Sequence, residues 1–181
     1  MATCQTLKEL PLVCGSEGSF GGTQKVYMIA DKDLGTVTGS TLPYAVSPTT
    51  GVITEIALAA PAVGFVQIGQ LKNVAGLASE LTKNATTGSQ YFTSTATMQL
   101  QGLTPENYAF IESVRYQPVS FVFQSRSGNY YSVFGLEIAT LSTGTGIGQD
   151  DLNGITMTFT GTSAKPELIT EQSAVADVIN L

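Results

Sequence analysis

The sequence predicts a mainly β fold, a β-sandwich or barrel with one or two short flanking α-helices. Two observations predict it. Runs of β-branched and aromatic residues recur with period two, and clusters of Gly, Pro, Ser and Thr separate them. A third narrows it: the chain has no heptads and no internal repeat of solenoid period. Its 181 residues suffice for one domain with a hydrophobic core. Residues 1–165 read as a single β-rich domain. Residues 166–181 read as a C-terminal arm or short helix carrying Leu168, Ile169, Val175, Val178 and Ile179.

Lys25 to Ala30 is a β-branched and aromatic run. Val52 to Leu58 alternates, with Val52, Thr54 and Ile56 opposed to Ile53, Glu55 and Ala57. Gly64 to Gly69 is a third strand, and Gln90 to Leu100 a longer, Thr-rich one. Gly15 to Gly22 and Gly39 to Gly51 read as turns or long loops. Asn73 to Lys83 is expected to be helical, because Val74, Leu77, Ala78 and Leu81 fall at helical spacing; Gly76 opposes this. Thr104 to Val114 carries stronger helix signals. Thr104 suits the N-cap, Pro105 the first helical position, and Glu106 the positive end of the helix dipole. Tyr108, Ile111 and Arg115 share a face with Phe110 and Val114 beside it, and Pro118 prevents continuation.

A β-hairpin follows. Val119, Phe121 and Phe123 alternate with Ser120, Val122 and Gln124; Ser125 to Asn129 turns; Tyr130 to Leu141 returns, with Phe134, Leu136 and Ile138 expected on one face. Ser142 to Gln149 reads as a glycine-rich loop. The last strand is Gly154 to Gly161, where Ile155, Met157 and Phe159 oppose Thr156, Thr158 and Thr160.

Charged residues make up only 12% of the chain, against about 25% in an ordinary soluble domain. Burial of surface between copies accounts for such a depletion; a self-solvating Ser/Thr surface is the plainer alternative. The net charge of −6, with eight scattered Lys and Arg, lacks the basic footprint needed to grip nucleic acid. Cys4 and Cys14 are too few for a disulfide framework; two reduced thiols are expected, with a single Cys4–Cys14 bridge the alternative for an exported chain. The opening residues lack the pattern of a signal peptide, and Ile56 to Ile68 is too short and too interrupted to span a membrane.

The chain contains no histidine, which removes Ser-His-Asp and Cys-His catalysis and HExxH zinc sites. Gly144 to Gly148 imitates a dinucleotide loop, but Asp150, Asp151 and a strand follow it instead of a helix. Asp31 to Gly35 begins like a calcium loop and breaks the ligand pattern at Gly35 and Leu42, so it reads as a turn. The expectation is a non-enzymatic protein with no catalytic, cofactor-binding or metal-binding residues and no cofactor.

From Thr104 onward the order of parts resembles the C-terminal half of tail tube proteins from long-tailed bacteriophages. In that family a short helix precedes a strand, a glycine-bearing turn, a second strand, a glycine-bearing loop and a closing strand of the form Asn-Gly-x-Thr-x-Thr-Phe-x-Gly. Here the closing strand is Asn153-Gly154-Ile155-Thr156-Met157-Thr158-Phe159-Thr160-Gly161, with Pro166 at a similar distance beyond. The resemblance covers about the last third of the chain on motifs of low specificity. It implies a tail-tube-like fold and a structural protein of the virion tail, assembled in the cytoplasm of the host bacterium. Its partners would be copies of itself in a hexameric, stacked ring, and other tail proteins. DNA would pass through without specific binding, and no membrane would be involved. A terminator or connector ring, a capsid decoration protein and a host-binding module are the alternatives.

Overall fold

The computed structural model describes residues 22–61, 63–69, 75–145 and 153–179. Cys4, Cys14, Asp150, Asp151 and most of the Gly15 to Gly22 cluster lie outside these residues. The strands are β1 (Thr23–Ala30), β2 (Tyr44–Val46), β3 (Ile53–Ile56), β4 (Val66–Ile68), β5 (Gly76–Lys83), β6 (Gln90–Gln101), β7 (Val119–Ser125), β8 (Tyr130–Gly144), β9 (Gly154–Ser163) and β10 (Leu168–Thr170); the helices are α1 (Pro105–Val114) and α2 (Gln172–Ala176). The fold is mainly β and sandwich-like, as the periodicity predicts, and its sheet is not closed.

The strands form two layers that share β8. One layer has the order β2-β3-β10-β8-β7-β1-β4. The other runs β8-β9-β6-β5 with every neighbour antiparallel. The first half of β8 pairs with β7 and β10, and its second half, Glu137 to Gly144, pairs with β9. Between the layers lies the main core, built from Val26, Met28, Met98, Leu100, Val119, Phe121, Phe123, Ile155, Met157 and Phe159, and closed at one side by Ile111 and Val114 of α1. Phe121 meets Phe159 edge-on at 5.0 Å. Full burial of each such side chain contributes about 1.5–3 kcal/mol, so this seam dominates stability.

β1 and β7 are buried on both faces. Tyr27, Ile29 and Val122, the alternate residues, point away from the main core into a second cluster with Ile53, Ile56, Phe65, Val175 and Val178. α2 caps this cluster, and Phe65 N–H donates to the Val178 carbonyl at 2.7 Å. The expected C-terminal helix is therefore α2, and β10 ahead of it lies between β3 and β8.

Helix α1 starts where the caps predict: the Thr104 hydroxyl accepts from Asn107 N–H at 3.3 Å, with Pro105 next. The β7–β8 hairpin turns through Gly128 at φ +87°, a left-handed conformation that glycine adopts without steric cost. β9 buries Ile155, Met157 and Phe159, as its alternation predicts.

Several expectations are corrected. The segment Asn73 to Lys83 is not helical where it is described: Gly76 to Lys83 is the strand β5, paired residue for residue with β6. Leu77 and Leu81 fit both a helical and an alternating pattern, and eight ladder pairs outweigh the spacing. Gly39 to Gly51 includes the short strand β2, and Ser142 to Gly144 extend β8 into the expected loop. β3 buries Ile53 and Ile56 together, because a bulge in its pairing with β2 breaks the alternation. Phe134 does not share a face with Leu136 and Ile138. A register shift near Gly135, at φ +70°, turns Phe134 into the second cluster, where it stacks on Tyr44 at 4.6 Å.

The same irregularity bends β8 from one layer to the other. It is held by Ser120, which is fully buried opposite it on β7. Ser120 Oγ accepts from Gly135 N–H at 3.2 Å and donates to Asp31 Oδ1 at 2.5 Å. Asp31 begins the 3₁₀ turn Asp31–Asp33 after β1, which is the turn that the failed calcium pattern leaves.

Candidate assembly surface

The β8-β9-β6-β5 layer presents a regular surface. Period-two alternation sends Met98, Met157 and their neighbours inward and the intervening residues outward. Across the ladders the outward residues align in rows. Thr93 faces Thr162; Thr95 faces Thr160, which faces Glu137; Thr97 faces Thr158, which faces Thr140; Gln99 faces Thr156, which faces Ser142. Ala78, Glu80 and Thr82 of β5 continue the rows. The face is a lattice of hydroxyls and amides with two carboxylates, Glu80 and Glu137, and no Lys or Arg among its described residues. Thr packs well on a pleated surface and keeps its hydroxyl available, so this composition serves the sheet and solvent together.

Among the described residues the layer ends in two open edges, β5 on one side and the second half of β8 on the other. Four strands in strict alternation leave these edges antiparallel to each other. They are also staggered. Gly76 stands opposite Thr97, while Gly144 stands level with Gln101, four residues further along β6. Open edges carry unpaired N–H and C=O groups and invite another strand.

Beside the β8 edge lies a groove of roughly 490 Å³ between α1 and β8, lined by Tyr108, Ile111, Glu112, Arg115, Ile138 and Leu141. Ile111 is buried in its floor, whereas Tyr108 and Leu141 are 47% and 41% exposed. Arg115 Nη1 bridges Glu112 at 3.3 Å and the guanidinium lies 5.0 Å over Tyr116, so the charges at this end are mutually satisfied. On the opposite edge Leu81 of β5 is 55% exposed. Leu81 pairs with Phe92, which places it on the inward side of the sheet beyond the reach of the core.

Groups that carry chemistry are dispersed. The described residues contain no cluster of three metal-ligating side chains. Asp31 is half-buried, and that burial pushes its carboxyl above the ordinary range, with hydrogen bonds from Ser120 and the Gly135 backbone opposing the shift. Its partners are a serine hydroxyl and a backbone amide at the strand bend, and that serine, Ser120, is fully buried. Glu167 Oε2 is buried without a hydrogen-bond partner among the described residues at a second cleft, lined by Thr23, Leu77, Phe123 and Tyr131, with no second acid among its described lining residues. Gly144 of the glycine-rich segment ends β8, and Gly146 to Gly148 fall outside the described residues. Among the described residues no helix is long and apolar enough to cross a membrane.

The sequence discloses the threonine rows of β6 and β9. It conceals the β5 edge, because Leu77 and Leu81 mimic a helix there. The alternation of Leu77, Ser79 and Leu81 against Ala78, Glu80 and Thr82 is the signal that finds it. Compared with known proteins, the chain matches no protein family, no curated protein and no solved structure.

Proposed function

We propose that this chain is a non-enzymatic structural subunit of a bacteriophage tail tube, assembling with copies of itself into stacked rings through which DNA passes. The tail of the virion would be its location, the host cytoplasm its place of assembly, and other tail proteins its neighbours. The observation that carries the reading is the pair of open, mutually antiparallel edges on a four-stranded layer. Rotating copies about one axis sets β5 of each against β8 of the next, and every junction is then antiparallel. Such a heterologous contact closes into a ring when the rotation permits.

The stagger of the edges supports closure. Barrel strands tilt by about 35–45°. Across four strands spaced about 4.8 Å apart, that tilt requires a shift of about 4–6 residues at about 3.3 Å each. Only an even shift keeps inward residues continuous with inward residues. Setting Gly76 of one copy against Gly144 of the next gives an offset of four residues, which satisfies both conditions. Six copies, the number that the tail-tube resemblance implies, would close about 24 strands, beyond the roughly 16–18 at which a barrel already leaves an aqueous channel.

The face turned to the lumen would be the threonine lattice. Its two carboxylates and its lack of cations suit a conduit that must not retain a polyanion. Negative-stain electron microscopy of the purified protein at high concentration tests the reading. Rings or tubes with a central channel are expected; a strictly monomeric protein at every concentration overturns it.

A further inference from the structure

Resting on that ring reading, we infer that Leu81 on the β5 edge of one copy seats in the groove between α1 and β8 of the next copy, against Ile138, Leu141, Ile111 and Tyr108. Setting Gly76 against Gly144, ends that differ by four residues along β6, gives the register. Gly76 meets Gly144, Leu77 meets Thr143, Ala78 meets Ser142, Ser79 meets Leu141, Glu80 meets Thr140, Leu81 meets Ile138 and Thr82 meets Glu137. Ala139, the bulged residue in the pairing with β9, is left over on the new side too. In this register seven residues of β5, Gly76 to Thr82, cover the free length of β8 from Glu137 to Gly144, with Ala139 bulged out.

Three features agree with it. First, Leu81 and the groove lie on the same, inward side of the continuous sheet, since Leu81 pairs with Phe92, and Ile138 with Phe159 of the core. Second, the exposed apolar surface is matched: a 55% exposed leucine on one edge, and a groove rimmed by the half-exposed Tyr108 and Leu141 on the other. Third, no like charges oppose each other. Glu80 and Glu137 each face a threonine, Thr140 and Thr82 respectively, where two acids side by side would resist pairing. The groove is therefore a socket for a second copy of this chain, and Leu81 is its knob.

Cross-linking in a Cys4→Ser, Cys14→Ser background distinguishes this contact from the ring reading beneath it. Copies carrying Leu81→Cys are mixed with copies carrying Ile138→Cys under ring-forming conditions and oxidised. Directly opposed residues of an antiparallel pair have Cβ atoms about 4.5–5.5 Å apart, close enough for a disulfide after slight adjustment. Within one copy β5 and β8 are separated by two strands, about 14 Å, so a link reports only the junction. A disulfide-linked dimer is expected from this mixture and none from Thr82→Cys with Ile138→Cys, whose side chains fall on opposite faces. Rings that form without the Leu81–Ile138 link, or with equal linking through Thr82→Cys, overturn the register and leave the ring reading standing. A wild-type protein that forms no ring overturns both. Leu81→Asp supplies the non-covalent counterpart: ring formation is lost while the unfolding midpoint of the monomer stays unchanged. Rings formed at wild-type concentrations by Leu81→Asp also overturn the inference.

Discussion

Replacing Ser120 by alanine tests the device that bends β8. Ser120 is fully buried, and its hydroxyl serves two partners at once, accepting from Gly135 N–H and donating to Asp31. The substitution leaves a buried backbone amide unsatisfied, which costs about 1–3 kcal/mol, and removes a hydrogen bond to a charged group, worth about 1.5–3 kcal/mol. Asp31 is half-buried and regains part of that from water, so a combined loss of about 2–3 kcal/mol is expected at pH 7. For a chain of this length each kcal/mol lowers the melting temperature by about 2–4 °C, which gives a drop of about 4–12 °C.

The pH dependence follows from the Asp31 carboxyl. Burial raises its folded pKa, and the Ser120 hydroxyl is among the bonds that lower it again. A raised folded value means that the folded state holds the proton more tightly. The favourable contribution of Asp31 is thus present below its unfolded pKa of about 3.9 and lost as pH rises through the folded value. Ser120→Ala raises the folded value further, so the deficit of the variant is larger at pH 7 than at pH 3. Urea denaturation at both pH values, at concentrations that keep the protein monomeric, measures it. A deficit below about 0.5 kcal/mol at pH 7, the range of an inert surface change, would refute the assigned role of the bend. So would a deficit that grows as the pH is lowered.

Further outcomes are expected elsewhere. Gly161→Ala places a Cβ 2.7 Å from both the Gly135 carbonyl oxygen and Leu136 Cδ2, so β9 must shift away from the bend; overpacking of this kind costs about 1–3 kcal/mol, read from the denaturation midpoint. Phe159→Ala empties the centre of the main core, where Phe159 is fully buried against Phe121, and is expected to cost about 3–5 kcal/mol by the same assay. Thr158→Lys puts a cation in the middle of the hydroxyl lattice. Assembled particles of this variant are expected to retain duplex DNA in low salt and release it in high salt, while wild-type particles retain none, as a filter-binding titration would record.

Much of this architecture is legible in the sequence, for identifiable reasons. β9 reads correctly because Ile155, Met157 and Phe159 alternate strictly with threonines and the strand is buried on one face only. α1 reads correctly because Thr104 and Pro105 are local signals that no distant contact overrides. Where the reading fails, long-range pairing decides. β5 is a strand because β6 lies beside it, and a short Leu-containing run does not reveal its neighbour. The bend at Gly135 shifts the face of the residues after it until the bulge at Ala139 restores the parity, and an alternation counted through it misplaces Phe134. Of the assembly surface, the threonine rows were visible. The edges and their stagger were not, since both are properties of strand order.

The sharing of β8 between layers has a consequence for how the molecule comes apart. Its first half completes the ladders to β7 and β10, and its second half the ladder to β9. One covalent segment therefore belongs to both halves of the core, and removing it exposes Val133 and Leu136 together with the surfaces that they cover. Neither layer can melt alone without breaking the other. Amide hydrogens from Val133 to Leu136 are accordingly expected to exchange only through global unfolding, with protection equal to the full stability of the domain. A subunit built this way opens all at once or not at all.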